Sequence, residues 1–192
     1  MWSEHFGRVE RVAQLVAARG VRFAMTLDHS HVIFKIDNPG EQRVQRMDED
    51  VRRGALVLDP FAAGNVTGGW IERNYVRHAH ERPAIPNGPV NLWMSHANGR
   101  PGRGVQYPWL RPAAGEWHSP WDGDALAPWK EVVRQLLRHH ARDADSALAT
   151  ISTEFIPFPD YGGGARYSLF DHGVACATWI RAEWAAAQAE IS

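Results

Sequence analysis

The sequence predicts an α/β fold with parallel strands, arranged as in a (β/α) barrel. Three observations carry this. Helical apolar stretches alternate with short apolar runs, the pattern of αβ units. Residues able to do chemistry gather at the C-terminal ends of three such runs: Asp28 with His31, His78 with His80, and Glu154. In parallel α/β barrels the strand termini converge at that end on the active site. Finally, 192 residues suit one domain, and no linker or internal repeat divides them.

The first segment reads as a helix, because Phe6, Val9, Val12, Leu15 and Val16 recur at three- and four-residue spacing. Ser3 can cap it and Gly20 can stop it. Residues 21–27 then read as a buried strand. Residues 37–53 are charged and loop-like, then helical. The run 54–64 fits strand or helix equally, and GNVTGG (64–69) reads as a turn-rich break. Residues 71–80 read as a strand, with Val76, His78 and His80 on one face and Tyr75, Arg77 and Ala79 on the other. Residues 81–121 hold most of the prolines and four of the tryptophans. They read as a long irregular segment of the kind that forms lids or binding loops, with WMSH (93–96) as a short strand inside it. A helix over 126–140 follows, with Leu126, Trp129, Val132, Val133, Leu136 and Leu137 as its apolar stripe. A strand over 148–157 carries Glu154 near its end. After a glycine-rich loop the last helix spans about 168–189, with Val174, Trp179, Ile180 and Trp184 as its expected buried face.

Composition narrows the function. Hydrophobic residues make up 44% and charged residues 22%, which excludes disorder and a disulfide scaffold. Lys and Arg number 21 against 22 Asp and Glu, so no basic field calls for nucleic acid or an anionic membrane. Cys176 is the one cysteine, which forbids an internal disulfide and thiolate-cluster zinc and suits a reducing, cytoplasmic setting. The N-terminal segment lacks the pattern of a secretory signal, and no apolar run is long enough for a membrane span. Ten histidines beside one cysteine direct any metal chemistry to imidazole and carboxylate ligands, a set suited to manganese, cobalt, magnesium or zinc.

Each candidate has a blander role to be weighed. A strand-end His is commonly a hydrogen-bonded structural residue, an Asp there a turn former, and a buried Glu half of an ion pair. The three-fold recurrence at strand ends favours a shared site. His139 and His140 complement a helix C-terminus, and His5 and His172 sit on helices as structural residues. His29 points away from Asp28 in an extended chain, and His96 and His118 stay open. The tryptophans could stack on sugar rings, cover a barrel mouth or fill core space.

With these residues in place, the chain resembles the C-terminal half of the xylose isomerase-like barrel superfamily. That group includes sugar-phosphate isomerases and epimerases, inosose dehydratases, ketose 3-epimerases and endonuclease IV-type enzymes. Its D-x-x-H after the fifth strand is matched by Asp28-His-Ser-His31, and its His motif after the sixth by His78-Ala-His80-Glu-Arg. Its Pro-Gly segment is matched by Pro101-Gly102-Arg103-Gly104-Val-Gln-Tyr107, and its eighth-strand Glu by Glu154. The resemblance covers roughly residues 5–185 and implies only the last four βα units of a (β/α)8 barrel. A whole barrel takes about 250 residues, and the fourth-strand Glu of the family lies outside the match. The resemblance implies that Asp28, His80 and Glu154 bind a divalent metal. It implies that His31 joins the metal or contacts substrate, that Glu154 doubles as acid/base, and that Arg103 lies near the substrate. His78, Arg82 and His96, beside these motifs, are further candidate substrate contacts.

The activity expected is a divalent-metal-dependent sugar isomerase or epimerase, working by proton transfer next to a carbonyl through an enediolate. A sugar lyase or dehydratase on the same scaffold begins with the same proton abstraction. An endonuclease IV-like phosphodiesterase is disfavoured by the near-zero charge and by the lack of an Asp-x-His pair between Glu81 and Trp121. A non-catalytic barrel fragment is the remaining alternative. Open sheet edges in a half barrel also lead us to expect a homodimer or other self-association.

Overall fold

The structure is a computed structural model that describes residues 5–95, 101–157 and 165–191. The chain builds a mixed α/β fold around a small parallel sheet. Helix α1 (Gly7–Ala17) leads to strand β1 (Met25–Leu27), then to three short helices, α2 (Ser30–Ile33), α3 (Pro39–Val44) and α4 (Asp48–Arg52). Helix α5 (Val66–Glu72) precedes β2 (Val76–Glu81). The hairpin of β3 (Val90–Ser95) and β4 (Pro101–Arg103) follows. Helix α6 (Ala127–Arg142), β5 (Thr150–Thr153) and α7 (Leu169–Ala189) complete the chain.

The sheet has the order β1-β2-β5, parallel throughout. Thr26 pairs with His78 and His78 with Thr150; Leu27 pairs with Ala79 and Ala79 with Ile151. His80 pairs with Ser152 and Glu81 with Thr153. Because side chains alternate, Thr26, His78, His80, Thr150 and Ser152 share one face, and Leu27, Ala79, Glu81 and Ile151 share the other. The second face is packed by α6, whose Trp129, Val132, Val133, Leu136 and Leu137 are all buried. Helix α7 lies against α6 and is clamped to it by a two-pronged Arg134–Glu183 pair, each bond 3.0 Å.

Several elements depart from the sequence-based expectation. The parallel sheet holds three strands among the described residues rather than four. The run 54–64 forms neither helix nor strand, although Leu56 and Leu58 are buried. The segment 21–24 is irregular; among the described residues β1 pairs on one side only, through a register shift at Met25/Thr26, and Val21 is exposed. The turn expected at 64–69 instead starts helix α5. Asn65 makes this possible: its Oδ1 accepts from Gly68 N at 2.7 Å and the Thr67 hydroxyl at 2.8 Å, and the helix then buries Trp70 and Ile71. Burial compensates for the two helix-interior glycines.

The expected apolar faces hold in part. Helix α1 buries Val9 and Ala13, while Leu15 is 49% exposed. Gly20, with φ +72°, ends that turn as expected, whereas Ser3 lies outside the described residues. Helix α7 buries His172, Cys176, Ile180 and Ala187, and leaves Val174 50% exposed. Strand β3 includes residues 93–95 of the expected short strand, paired in a hairpin separate from the main sheet. Among the described residues no helix is long and apolar enough to cross a membrane.

Candidate functional site

The period-two alternation of the strands stacks three polar layers on the open sheet face. Thr26, His78 and Thr150 form the lowest. One residue past the Leu27–Ala79 pair, Asp28 comes level with His80 and Ser152. One step higher, Arg82 and Glu154 come level, because Glu154 N bonds the Glu81 carbonyl at 3.0 Å and extends the ladder. Asp28, His80, Arg82 and Glu154 thus meet at the C-terminal end of the sheet, joined by His31 from α2.

Arg82 is the centre of this group. Its side chain is 2% exposed. Nη2 donates to Asp28 Oδ2 and to His31 Nε2, the latter at 3.1 Å, while Nη1 donates to Glu154 Oε2 at 3.0 Å. Nε and Nη2 both reach Ser30 Oγ, at 3.2 and 3.1 Å. Ser30 in turn donates its backbone N–H to Asp28 Oδ1 at 3.1 Å, and its hydroxyl to the same oxygen. His31 Nε2 lies 3.5 Å from Asp28 Oδ2, and His80 Nδ1 3.9 Å from Glu154 Oε2. The result is two carboxylate–imidazole pairs, Asp28/His31 and Glu154/His80, with a guanidinium between them. Burial lowers the His31 pKa, opposed by Asp28 and reinforced by Arg82. Its ring is neutral near pH 7.

These five side chains line one end of a cavity of about 330 Å³, within the range that holds small ligands. Its other wall is apolar: Phe6 and Val9 from α1, Trp70 from α5, and Phe23, Met25 and Leu27 around β1. A second cavity beside β5, α6 and α7 carries only His140 and Arg181 as ionisable groups, so the first holds the denser cluster of charged side chains.

The sequence-predicted residues therefore divide. Asp28, His31, His80, Arg82 and Glu154 come together. His78 sits one layer lower, with Nε2 2.9 Å from Ser152 Oγ and Nδ1 3.5 Å from Thr26 Oγ1, and it does not line the cavity. Arg103 is exposed at the end of β4 and is not part of the lining. His96 lies outside the described residues. His29 stays out of the cavity, although its backbone is helical (φ −74°, ψ −7°) rather than extended as expected: it is fully buried against Trp129, with ring centroids 5.2 Å apart. His5 bonds Asp50 at 3.0 Å, and His172 Nδ1 accepts from Trp109 N at 3.1 Å, both structural roles.

Sequence reasoning missed Ser30, although it stands inside the D-x-S-H run. It missed Lys35, buried and donating to the His31 carbonyl at 3.1 Å, with its pKa lowered by burial. It also missed a buried pair behind the site. Glu81, on the helix-facing side of β2, lies 3.6 Å from His29 Nδ1. Both Glu81 oxygens are buried without a hydrogen-bond partner. Burial, and then Asp28, push the Glu81 pKa well up; burial pushes His29 down to about 4. Burial thus favours the uncharged form of each. The alternation gave the signal, since Glu81 shares the parity of Ala79.

A divalent ion can be tested against this donor set. Two carboxylates and two imidazoles facing one cavity are the right ligand types. Among the described residues no three His, Cys, Asp or Glu side chains stand together in ligating arrangement, because Arg82 separates the two pairs. The donors fit such an ion in kind, and the guanidinium stands where it would lie. No protein-family model, no curated protein and no solved structure matches the chain.

Proposed function

We propose that this chain carries half of a (β/α)-barrel site for a metal-dependent sugar isomerase or epimerase. The observation that supports this best is the convergence of Asp28, His31, His80, Arg82 and Glu154, from three strand ends, on one cavity with an apolar far wall. Asp28, His80 and Glu154 would hold the divalent ion, which supplies polarisation of substrate oxygens and neutralisation of developing negative charge. Glu154 is the proton-transfer residue. Its carboxylate reaches the cavity, where it can take a proton from the carbon next to a carbonyl and return it to the neighbouring carbon. Neutral His31 can hydrogen-bond a substrate hydroxyl. Phe23, Met25 and Trp70 keep water from the carbon face, which protects an enediolate from side reactions.

The test is solvent hydrogen exchange. The full chain is loaded with manganese, cobalt, magnesium or zinc and incubated with a panel of ketoses and aldoses in deuterium oxide. We expect deuterium at the carbon next to the carbonyl with the wild-type chain and none with Glu154→Gln. A metal-loaded wild-type chain that exchanges no sugar proton, or a Glu154→Gln variant that exchanges at the full rate, would refute the assignment.

A further inference from the structure

We propose that the free edge of β5, with the groove beside it, binds an extended peptide segment that carries apolar side chains at alternate positions and a carboxylate among them. This is a second site, independent of the chemistry of the first cavity. In the sheet order β1-β2-β5, β5 stands at the edge. Successive residues of a strand turn their N–H and C=O groups to opposite sides. Glu154 N bonds the Glu81 carbonyl at 3.0 Å, so Ser152 and Glu154 turn these groups to β2, and Ile151 and Thr153 turn theirs outward. Among the described residues neither outward N–H has a backbone partner. Donors and acceptors that repeat at strand spacing are matched by another extended backbone, which is how peptides add to sheet edges.

The groove selects among peptides. It is a cavity of about 590 Å³, lined on one side by the consecutive residues 149–153. Leu137 from α6 and Ala177, Ile180 and Trp184 from α7 make its other wall apolar. His140 and Arg181 are the ionisable groups of the lining, and both are bases. His140 is held by Ser146 Oγ at 3.0 Å and by the Trp184 ring. Arg181 is exposed, and the two acidic residues that follow it on α7 are engaged elsewhere: Glu183 by Arg134, Glu190 by Arg138 and Arg142. The groove therefore carries positive charge and no carboxylate, and a guanidinium pairs best with a carboxylate. The apolar surface also continues beyond the cavity. Phe170 and Val174, both exposed, share a face of α7 with Ala177 and Arg181 at helical spacing. An added strand, whose side chains alternate, would set every second one on this wall. Pairing of β5 with β5 of a second copy would instead bring two basic walls together, at a cost in like-charge repulsion.

A positional-scanning array of acetylated, amidated heptapeptides, probed with the full chain, tests this. The wild-type chain should retain peptides with Val, Ile, Leu or Phe at alternate positions and Asp or Glu on the same face. Arg181→Glu should turn the charge preference to Lys and Arg. Thr153→Pro removes one outward N–H, at an edge position where proline is tolerated. It should weaken binding of the best peptide by about fivefold or more, whereas Thr153→Val, which keeps the N–H, should not. No alternating selection by the wild-type chain, an unchanged charge preference in Arg181→Glu, or wild-type affinity in a folded Thr153→Pro would each overturn the proposal. Arg181→Glu, at an exposed position, carries the test if Thr153→Pro fails to fold. Sedimentation equilibrium supplies the remaining check. A wild-type dimer that becomes monomeric in Thr153→Pro would put a second copy on this edge and would also overturn the proposal.

Discussion

The buried imidazole of His29 should make the protein lose stability on mild acidification, by an amount the structure sets. His29 is fully buried, and burial lowers its pKa from 6.5 to about 4. In the unfolded chain the ring takes up a proton as the pH falls through about 6.5; in the folded chain it does so only near 4. Between those values the unfolded state binds more protons, so stability falls as the pH falls. At about 1.4 kcal/mol per pH unit, the loss between pH 7.5 and pH 4 comes to roughly 3 kcal/mol. Full burial leaves no solvent screening to discount. The assay is urea unfolding at half-unit steps across that range, for wild-type and His29→Gln. Whatever the variant's absolute stability at neutral pH, its acid-side decline should be shallower than wild type by roughly 3 kcal/mol. Three other histidines, His31, His78 and His172, have lowered pKa values too; they contribute equally to both proteins and cancel in the difference. Parallel pH profiles for the two proteins would refute the reasoning and place a protonated His29 in the native core.

Two further outcomes follow from the same core. Glu81 has its pKa raised by burial and by Asp28, the opposite sense to His29. Its contribution is complete below about 4.5 and is lost as the pH rises toward its folded value, so Glu81→Gln should flatten the alkaline-side decline in the same urea series. An unchanged alkaline limb would show that Glu81 is ionised in the native protein. Gly88→Ala should destabilise by more than about 2 kcal/mol: at φ +62° an added Cβ would sit 2.1 Å from the Gly104 carbonyl oxygen and 2.6 Å from the Phe34 ring. A thermal melt within 2 °C or so of wild type would contradict that clash.

The site was more legible than the fold, and the reason is periodicity. A strand fixes side-chain direction by parity alone, so the placement of His78 and His80 on one face followed from their spacing, and Asp28 and Glu154 at strand ends needed no tertiary information. Strand extent was less legible. Residues 21–24 have strand-like composition, yet among the described residues β1 has a partner on one side only, and propensity without a partner does not make a ladder. The GNVTGG segment misled because its glycines dominate the local signal, while the cap at Asn65 and the burial of Trp70 decide the outcome. The apolar cavity wall was illegible in principle: Phe6, Val9 and Trp70 come from α1 and α5, and only tertiary packing brings them over β1.

The polar end of the sheet also explains why so few strands can assemble it. Register puts Asp28 level with His80, and Glu154 level with Arg82, on neighbouring parallel strands about 4.8 Å apart. Asp28 and Glu154 themselves follow the two strands that flank β2, so they face one another across Arg82. Like charges so placed require a cation between them, and the chain supplies one from β2 itself, two residues beyond His80. The arginine is thereby tied to folding, since without it two carboxylates at the edge of the core would be left opposed and partly desolvated. The same two carboxylates are the groups to which the proposed reaction assigns a metal and a proton. The Arg82 bridge and the proposed chemistry thus draw on one set of lone pairs, so any ligand that recruits Asp28 and Glu154 must first provide positive charge of its own.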